Sequence, residues 1–200
     1  MKGVNGDRTE YTYDTDYNQY VVNIGRSAPG ISAYISSIDW DIPSGLKKTE
    51  TDENGNTMRY EYDDFLRLDK VWSRYDQDAT AAVSYKYVTP AGNSGWYAVT
   101  DNKILTKSDD PGVMQTVVEV DGLGRKLRMA KRGERREGGI DVKGERRTGW
   151  NVSGAVRYDA KGRTVAEGQN VFVNGALDDL LGTPITELVN PTEREYDYED

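Results

Sequence analysis

Histidine and cysteine are both absent from the 200 residues. Without histidine the chain lacks the side chain that ordinarily titrates near neutral pH and is the commonest metal ligand. Without cysteine there are no thiol nucleophiles, Cys/His zinc sites or disulfides. No Ser-His-Asp triad can be assembled, and no chemistry beyond carboxylate, Lys, Tyr, Ser and Thr is available. No apolar run approaches the roughly 18 residues that a membrane helix needs. Residues 1–7 carry no apolar core of a signal peptide. An exported protein would therefore take its signal from outside these residues or follow another route. Leu, Ile, Val and Phe together number 38, a low count for a folded chain. The net charge of −8 argues against a sequence-independent nucleic-acid binder, which needs basic phosphate contacts.

What the chain does have is tyrosine, 14 of them, with four tryptophans. Aromatics bury large areas and fit pleated surfaces, so the composition points to a β protein with a thin core. One pattern recurs five times: an apolar, aromatic or long residue, any residue, Tyr or Val, then Asp. The copies are Tyr11-Thr12-Tyr13-Asp14, Tyr60-Glu61-Tyr62-Asp63, Val118-Glu119-Val120-Asp121, Val156-Arg157-Tyr158-Asp159 and Arg194-Glu195-Tyr196-Asp197. The aspartates are 49, 58, 38 and 38 residues apart. Three copies place an Arg four residues after the Asp, as Arg67, Arg125 and Arg163, and two of these have Gly124 or Gly162 just before it. A further Asp-x-x-Gly stands at Asp52-Glu53-Asn54-Gly55.

The pattern predicts a β-hairpin. Alternate residues of Tyr-x-Tyr share one face of a strand. The Asp ends the strand, and its carboxylate accepts a backbone N–H two residues on. Three loop residues closing on Gly match a type I turn followed by a left-handed residue and a bulge. Gly55, Gly124 and Gly162 are therefore expected at positive φ. The Arg is expected to stack on the Tyr ring across its hairpin or to pair with the Asp. Asp63 has Leu66 where Gly is expected, and Asp14 is followed by Asn18 with neither Gly nor Arg. Both turns are expected to differ in type or length.

These residues resemble the YD-repeat (Rhs) family, most closely over Thr51–Asp63 with Arg67-Leu68, Val120–Arg125 and Ser153–Arg163. The resemblance touches most of the chain from about Thr9, and is similar to the Rhs-type segment of bacterial toxins related to the B component of Tc insecticidal toxins. It implies an all-β fold in which consecutive antiparallel β-hairpins form a curved or spiralling sheet, a section of a hollow shell around a C-terminal variable polypeptide. The partners it implies are neighbouring repeats of the same parent chain, or the enclosed effector. It places the protein outside the cell or at its surface as part of a parent. Related repeats in animals occur in adhesion proteins, so cell-surface glycan or protein binding is the alternative. The family's self-cleaving aspartate site is not seen here, and no catalytic residue carries over. Tyr196-Asp197-Tyr198-Glu199-Asp200 looks like a repeat cut in mid-hairpin.

Along the chain no low-complexity linker appears, so residues 1–200 read as one segment. Gly25–Gly45 reads as irregular, with a strand around Ile31–Trp40. Val83–Val88 and Trp96–Thr100 alternate as strands about a 90–95 loop. Residues 131–150 read as a charged, solvated hairpin or loop, its basic cluster interleaved with glutamates. Asn170–Val173 reads as a strand and Ala176–Leu181 as one helical turn.

Sharper sites are weak. Asp14-x-Asp16-x-Asn18 and Asp52-x-Asn54-x-Asn56 look like the start of a calcium loop, but Gln19 and Thr57 stand where that loop needs Gly; turn chemistry accounts for both. The adjacent acids Asp109-Asp110 and Asp178-Asp179 lack the pocket that a glycosidase pair requires. No cofactor or metal is expected, and no enzyme activity. The sequon Asn151-Val152-Ser153 matters only in a glycosylating host.

Overall fold

A computed structural model describes residues 6–76, 80–89, 95–104, 112–136, 146–184 and 191–196. The chain is all-β apart from one short helix. Its strands are β1 (Arg8–Tyr13), β2 (Val21–Ala28), β3 (Ile31–Asp41), β4 (Leu46–Thr51), β5 (Thr57–Tyr62), β6 (Leu68–Trp72), β7 (Val83–Val88), β8 (Trp96–Ile104), β9 (Gly112–Val120) and β10 (Lys126–Arg136). They continue as β11 (Arg146–Ser153), β12 (Val156–Tyr158), β13 (Thr164–Glu167), β14 (Val171–Asn174), the helix α1 (Leu177–Gly182) and β15 (Thr192–Glu193). Strands β1 to β11 are hydrogen-bonded in chain order and β14 follows β11, giving twelve strands; β12, β13 and β15 form a second sheet of three. From β1 to β11 the sheet is built of consecutive antiparallel hairpins. The chain divides into two compact units, Met1–Ser84 and Tyr85–Asp200, and the division falls inside β7.

The first unit is a meander with a sparse interior. Val71 and Trp72 are its buried apolar residues, and the buried polar group beside them in kind is Asp14. The strand expected around Ile31–Trp40 is β3, and the rest of Gly25–Gly45, expected to be irregular, is regular as well as far as Ala28: β2 runs on to that residue and Gly30 turns the chain at φ 77. Ile31, Tyr34 and Ile35 are exposed along β3.

The second unit has a true core. Val99 of β8, Val117 of β9, Ala130 of β10 and Val152 of β11 are successive cross-strand partners, so one row of apolar side chains crosses four strands. Trp150, two residues along β11, is fully buried, and Leu180 of α1 packs over the same cluster. Three donors from the sheet hold the backbone around α1. Arg132 donates to Gly175 O at 2.6 Å, Trp150 Nε1 to Ala176 O at 3.0 Å, and Arg128 to Thr183 O at 2.8 Å. Arg128 also makes a buried ion pair with its cross-strand neighbour Glu119 at 2.6 Å, which compensates two charges that would otherwise be costly to bury.

In the 131–150 region β10 and β11 pair antiparallel from Met129↔Ser153 to Arg136↔Arg146, and residues 137–145 lie outside the described residues. At Gly154 (φ 60) the strand breaks, and β12 continues into the smaller sheet. The 90–94 and 105–111 loops, with Asp109 and Asp110, lie outside the described residues. Among the described residues no helix is long and apolar enough to cross a membrane.

Candidate functional site

Four turns share one plan. At Asp52, Asp63, Asp121 and Asp159 the Asp N–H donates to the carbonyl four residues on, at 2.8–2.9 Å, and the third residue returns an N–H to the Asp carbonyl at 2.9–3.0 Å. Gly55, Gly124 and Gly162 hold the left-handed position at φ 77, 76 and 85. Each carboxylate then fills its own loop. Oδ1 of Asp121 accepts the N–H groups of Leu123 and Arg125, both at 2.9 Å, and Oδ2 takes Arg125 Nε at 2.6 Å. Asp63 does the same with Phe65 and Arg67, and Asp159 with Arg163. In the Asp52 turn Asn56 Nδ2 replaces the guanidinium, at 2.7 Å.

Contrary to the expectation that the Asp63 turn differs, it is of the same length and hydrogen-bond pattern. Leu66 adopts φ 62, the conformation that glycine provides elsewhere. The Asp14 turn does differ. It is two residues longer, closing from Asp14 N to Tyr20 O at 2.8 Å, with Asn18 at φ 54. Asp14 is buried in it, and its two oxygens accept four backbone N–H groups, those of Tyr17, Asn18, Gln19 and Tyr20, at 2.6–3.1 Å. That occupancy explains the calcium-like spacing without a metal, and among the described residues no three ligating side chains converge.

These bonds favour the charged carboxylate. The Tyr20 N–H and its three companions hold the Asp14 carboxyl below its ordinary value against burial. The Arg67 and Arg163 side chains do so for Asp63 and Asp159, and the Asn56 side chain for Asp52. At Asp121 burial pushes upward, and the hydrogen bonds from Arg125 and Leu123 outweigh it, so the net direction is again down.

Of the two partners expected for the Arg, the Asp is the one found, in Arg125–Asp121 and Arg163–Asp159. The ring that Arg125 and Arg163 cover is not that of their own hairpin. The Arg125 guanidinium lies 4.3 Å from the ring centre of Tyr158, and Arg163 lies 4.2 Å from that of Tyr196: each covers the tyrosine of the following repeat. The same tyrosines reach back to the backbone. Tyr158 OH donates to Lys126 O at 2.9 Å and Tyr196 OH to Thr164 O at 3.0 Å, in both cases the carbonyl just after the stacking Arg. The first unit repeats the arrangement. Tyr62 OH donates to Lys47 O at 3.0 Å, two residues after Gly45. Trp40 Nε1 donates to Val21 O at 2.9 Å, and Tyr20, at the position of the Arg, packs its ring 5.3 Å from that of Trp40. Four docks thus join one hairpin to the next, in one register.

Trp40-Asp41 is a hairpin end that the sequence pattern missed. Gly45 (φ 70) closes its turn, its N–H donating to Asp41 O at 2.8 Å, and Ser44 Oγ binds Asp41 Oδ2 at 2.5 Å. Ile38-Asp39-Trp40-Asp41 fits the pattern once Trp is admitted beside Tyr and the loop is lengthened by one residue. Asp52, by contrast, lies at the other end of the meander, because successive antiparallel turns alternate ends. Tyr60 shares Lys47 with Tyr62 as a neighbour: its OH donates to Glu50 at 3.2 Å, and the Lys47 amine lies over its ring. Asp197 lies outside the described residues. Tyr11 and Tyr13, on the first strand, are exposed.

No family model matches the chain, and no curated protein does. Solved structures do. A crystal structure of TcdB2-TccC3 has a TM-score of 0.64 at 20% identity, covering 82% of this chain and 10% of that one. A second TcdB2-TccC3 structure, and a Tc holotoxin pore from Photorhabdus luminescens, have TM-scores of 0.60 and 0.61 at 15% identity, each covering 82% of this chain and 12% of theirs. The chain therefore has the fold of a section of these Tc toxin chains, and spans about a tenth of their length.

Proposed function

We infer that this segment is a structural stretch of YD-type repeats in a secreted, toxin-related shell that encloses or delivers a polypeptide, with no catalysis of its own. The observation that carries the reading is the dock. Four hairpins present an aromatic donor to a backbone carbonyl of the hairpin before, and in three of them a cation or an aromatic ring of that hairpin also covers the donor's ring. Repeat architectures bury their cores mainly by stacking neighbours. The similarity in fold to Tc toxin chains supports the same reading.

Two experiments test it. A double-mutant cycle on Arg125→Ala and Tyr158→Leu, read by urea unfolding, should give a coupling of about 0.5–1 kcal/mol. A coupling of zero would remove the dock as a joining element. On the full polypeptide carrying this segment, limited proteolysis should leave a downstream region intact until the hairpins unfold. Immediate digestion of that region would sink enclosure.

A second reading, a glycan-binding surface, rests on an open cleft of about 360 Å³ beside the first hairpin, bordered by Tyr13, Asp16, Asp39 and Trp40. Trp40 is already engaged by Tyr20 and Val21, which leaves Tyr13 as the free platform. A glycan array without hits would dismiss it.

A further inference from the structure

At the end of the β10–β11 pair away from Gly154, arginine stands opposite arginine twice, as Arg135↔Arg147 and Arg136↔Arg146. All four residues are exposed. Like charges directly opposite weaken a strand pair. Glu134 meets Arg146 at 3.4 Å, but both side chains are more than half exposed, and an ion pair so placed holds little. The neighbouring ladders stop inward of these rungs. That of β9 on β10 ends at Lys131↔Thr116, and that of β14 on β11 begins at Gly149↔Asn174. A strand pair that has outrun its neighbours' ladders is the part of a sheet that opens at least cost. The same residues carry a sequence signal. Adjacent basic residues occur five times: Lys47-Lys48, Arg125-Lys126, Lys131-Arg132, Arg135-Arg136 and Arg146-Arg147. The first three are held. Lys47 has Trp40 opposite and Tyr62 OH on its carbonyl. Arg125 is bound to Asp121 and covers Tyr158. Lys131 has a strand on either side, opposite Thr116 and Asn151. The last two pairs face each other across β10 and β11.

We propose that the Arg147–Thr148 peptide bond is a processing site for an endopeptidase that reads paired basic residues, with carboxylates in the pockets that take the two arginines. The strand supplies the extended backbone such an enzyme binds, once it parts from its neighbour. Chemistry at the bond favours this pair over the facing one. Arg147 is followed by Thr148-Gly149, whereas Arg136 is followed by Glu137, whose carboxylate would oppose the oxyanion formed beside it. Water adds across the bond. Its hydroxyl goes to the Arg147 carbonyl carbon and its proton to the Thr148 nitrogen, and the C–N bond breaks to leave a carboxylate and a new amino terminus. The cut spares the core. From Gly149 on β11 is paired with β14, Trp150 is fully buried, and Val152 lies in the apolar row. Residues 1–147 and 148–200 are therefore expected to stay together after the cut. The inference is independent of the shell reading: it gives the polypeptide a place to be severed without being unfolded.

The test treats the native full chain with a kexin-type endopeptidase and follows the products by intact mass and gel filtration. The expected first cut is after Arg147, with the two pieces eluting together. Arg147→Gln should slow it about ten-fold or more, since the primary pocket is built for a guanidinium. The variant that separates structure from sequence is Arg135→Glu with Arg136→Glu. It leaves Arg146-Arg147 in place and makes both opposed pairs attractive. Cleavage after Arg147 should then slow about five-fold, because proteolysis of a folded chain tracks the population of the open strand pair. Should that variant fail to fold, Arg136→Gln removes one opposed pair and should slow the cut about two-fold. An unchanged rate in the folded variant means that the motif is read without the strand pair, and overturns the proposal. So does a first cut at any other basic pair, pieces that separate on the column, or no cut before urea unfolds the chain.

Discussion

Leu66 sits at φ 62 in a turn otherwise identical to those closed by glycine. An L-residue there is strained by about 1–2 kcal/mol. The side chain is mostly exposed, so little packing offsets the strain. Leu66→Gly should therefore raise stability by about 1 kcal/mol, and Gly124→Ala should lower it by about as much. At Gly124 no atom lies within 4 Å of the added methyl, so the loss reports backbone conformation alone. Urea midpoints of the two variants check the pair, and changes of the same sign would refute the argument. Residues of this kind were the most legible part of the sequence, since Asp-x-x-Gly specifies a turn by local chemistry. Leu66 was less so, because the surrounding hydrogen bonds, not the side chain, impose its conformation. The pairing of Arg125 and Arg163 with Asp121 and Asp159 was legible, but not which tyrosine covers them, since the ring over each guanidinium lies more than 30 residues on.

Within the second unit, β11 is the element on which most depends. Gly149 lets β14 come close: a Cβ there would meet Val173 O at 2.2 Å and Phe172 at 2.8 Å. Its neighbour Trp150 fills the core and reaches Ala176 O, tying α1 to the sheet. Gly149→Ala should cost about 1–3 kcal/mol by overpacking, and Trp150→Ala about 3–5 kcal/mol by leaving a cavity. The two should be distinguishable by hydrogen exchange. The glycine variant loosens Val171–Asn174 first, whereas the tryptophan variant loosens β8 to β11 together. Equal loosening of all strands by Gly149→Ala would count against this account. Residues 131–150 read from their interleaved charges as a hairpin or loop, and β10 and β11 pair across part of that stretch. The break at Gly154 was not foreseen, because Ser153-Gly154-Ala155 reads as an ordinary approach to the next strand. What makes it a break is that β12 leaves for a second sheet while β14 returns to pair with β11.

For the molecule as a whole, the turn aspartates set the response to acid. Asp14, Asp52, Asp63, Asp121 and Asp159 all titrate lower in the fold than in the free side chain. A carboxyl depressed by folding contributes stability that is complete above its unfolded value, about pH 4, and is lost as pH falls through the folded value. The urea midpoint should therefore hold level from pH 7 to 5 and drop below about pH 4. Asp159→Asn, which keeps one acceptor but gives up the pairing with Arg163, should lower the midpoint at pH 7 and flatten the acid limb. A midpoint that rises on acidification would contradict the assignment.

The unequal residue spacings of the motif take on a meaning from the same geometry. In the first unit the turns at Asp14, Asp41 and Asp63 lie 27 and 22 residues apart, yet each step is one strand up and one strand down; in the second the 38 residues from Asp121 to Asp159 take in β10, β11 and, in the smaller sheet, β12. The molecule keeps time in strands, about 9.5 Å per pair, and is indifferent to how many residues fill the interval. Because every dock is made beside the aspartate end of its hairpin, the opposite ends are free to lengthen without disturbing the beat. A ruler marked in this way can absorb insertions on one margin while its other margin stays in phase.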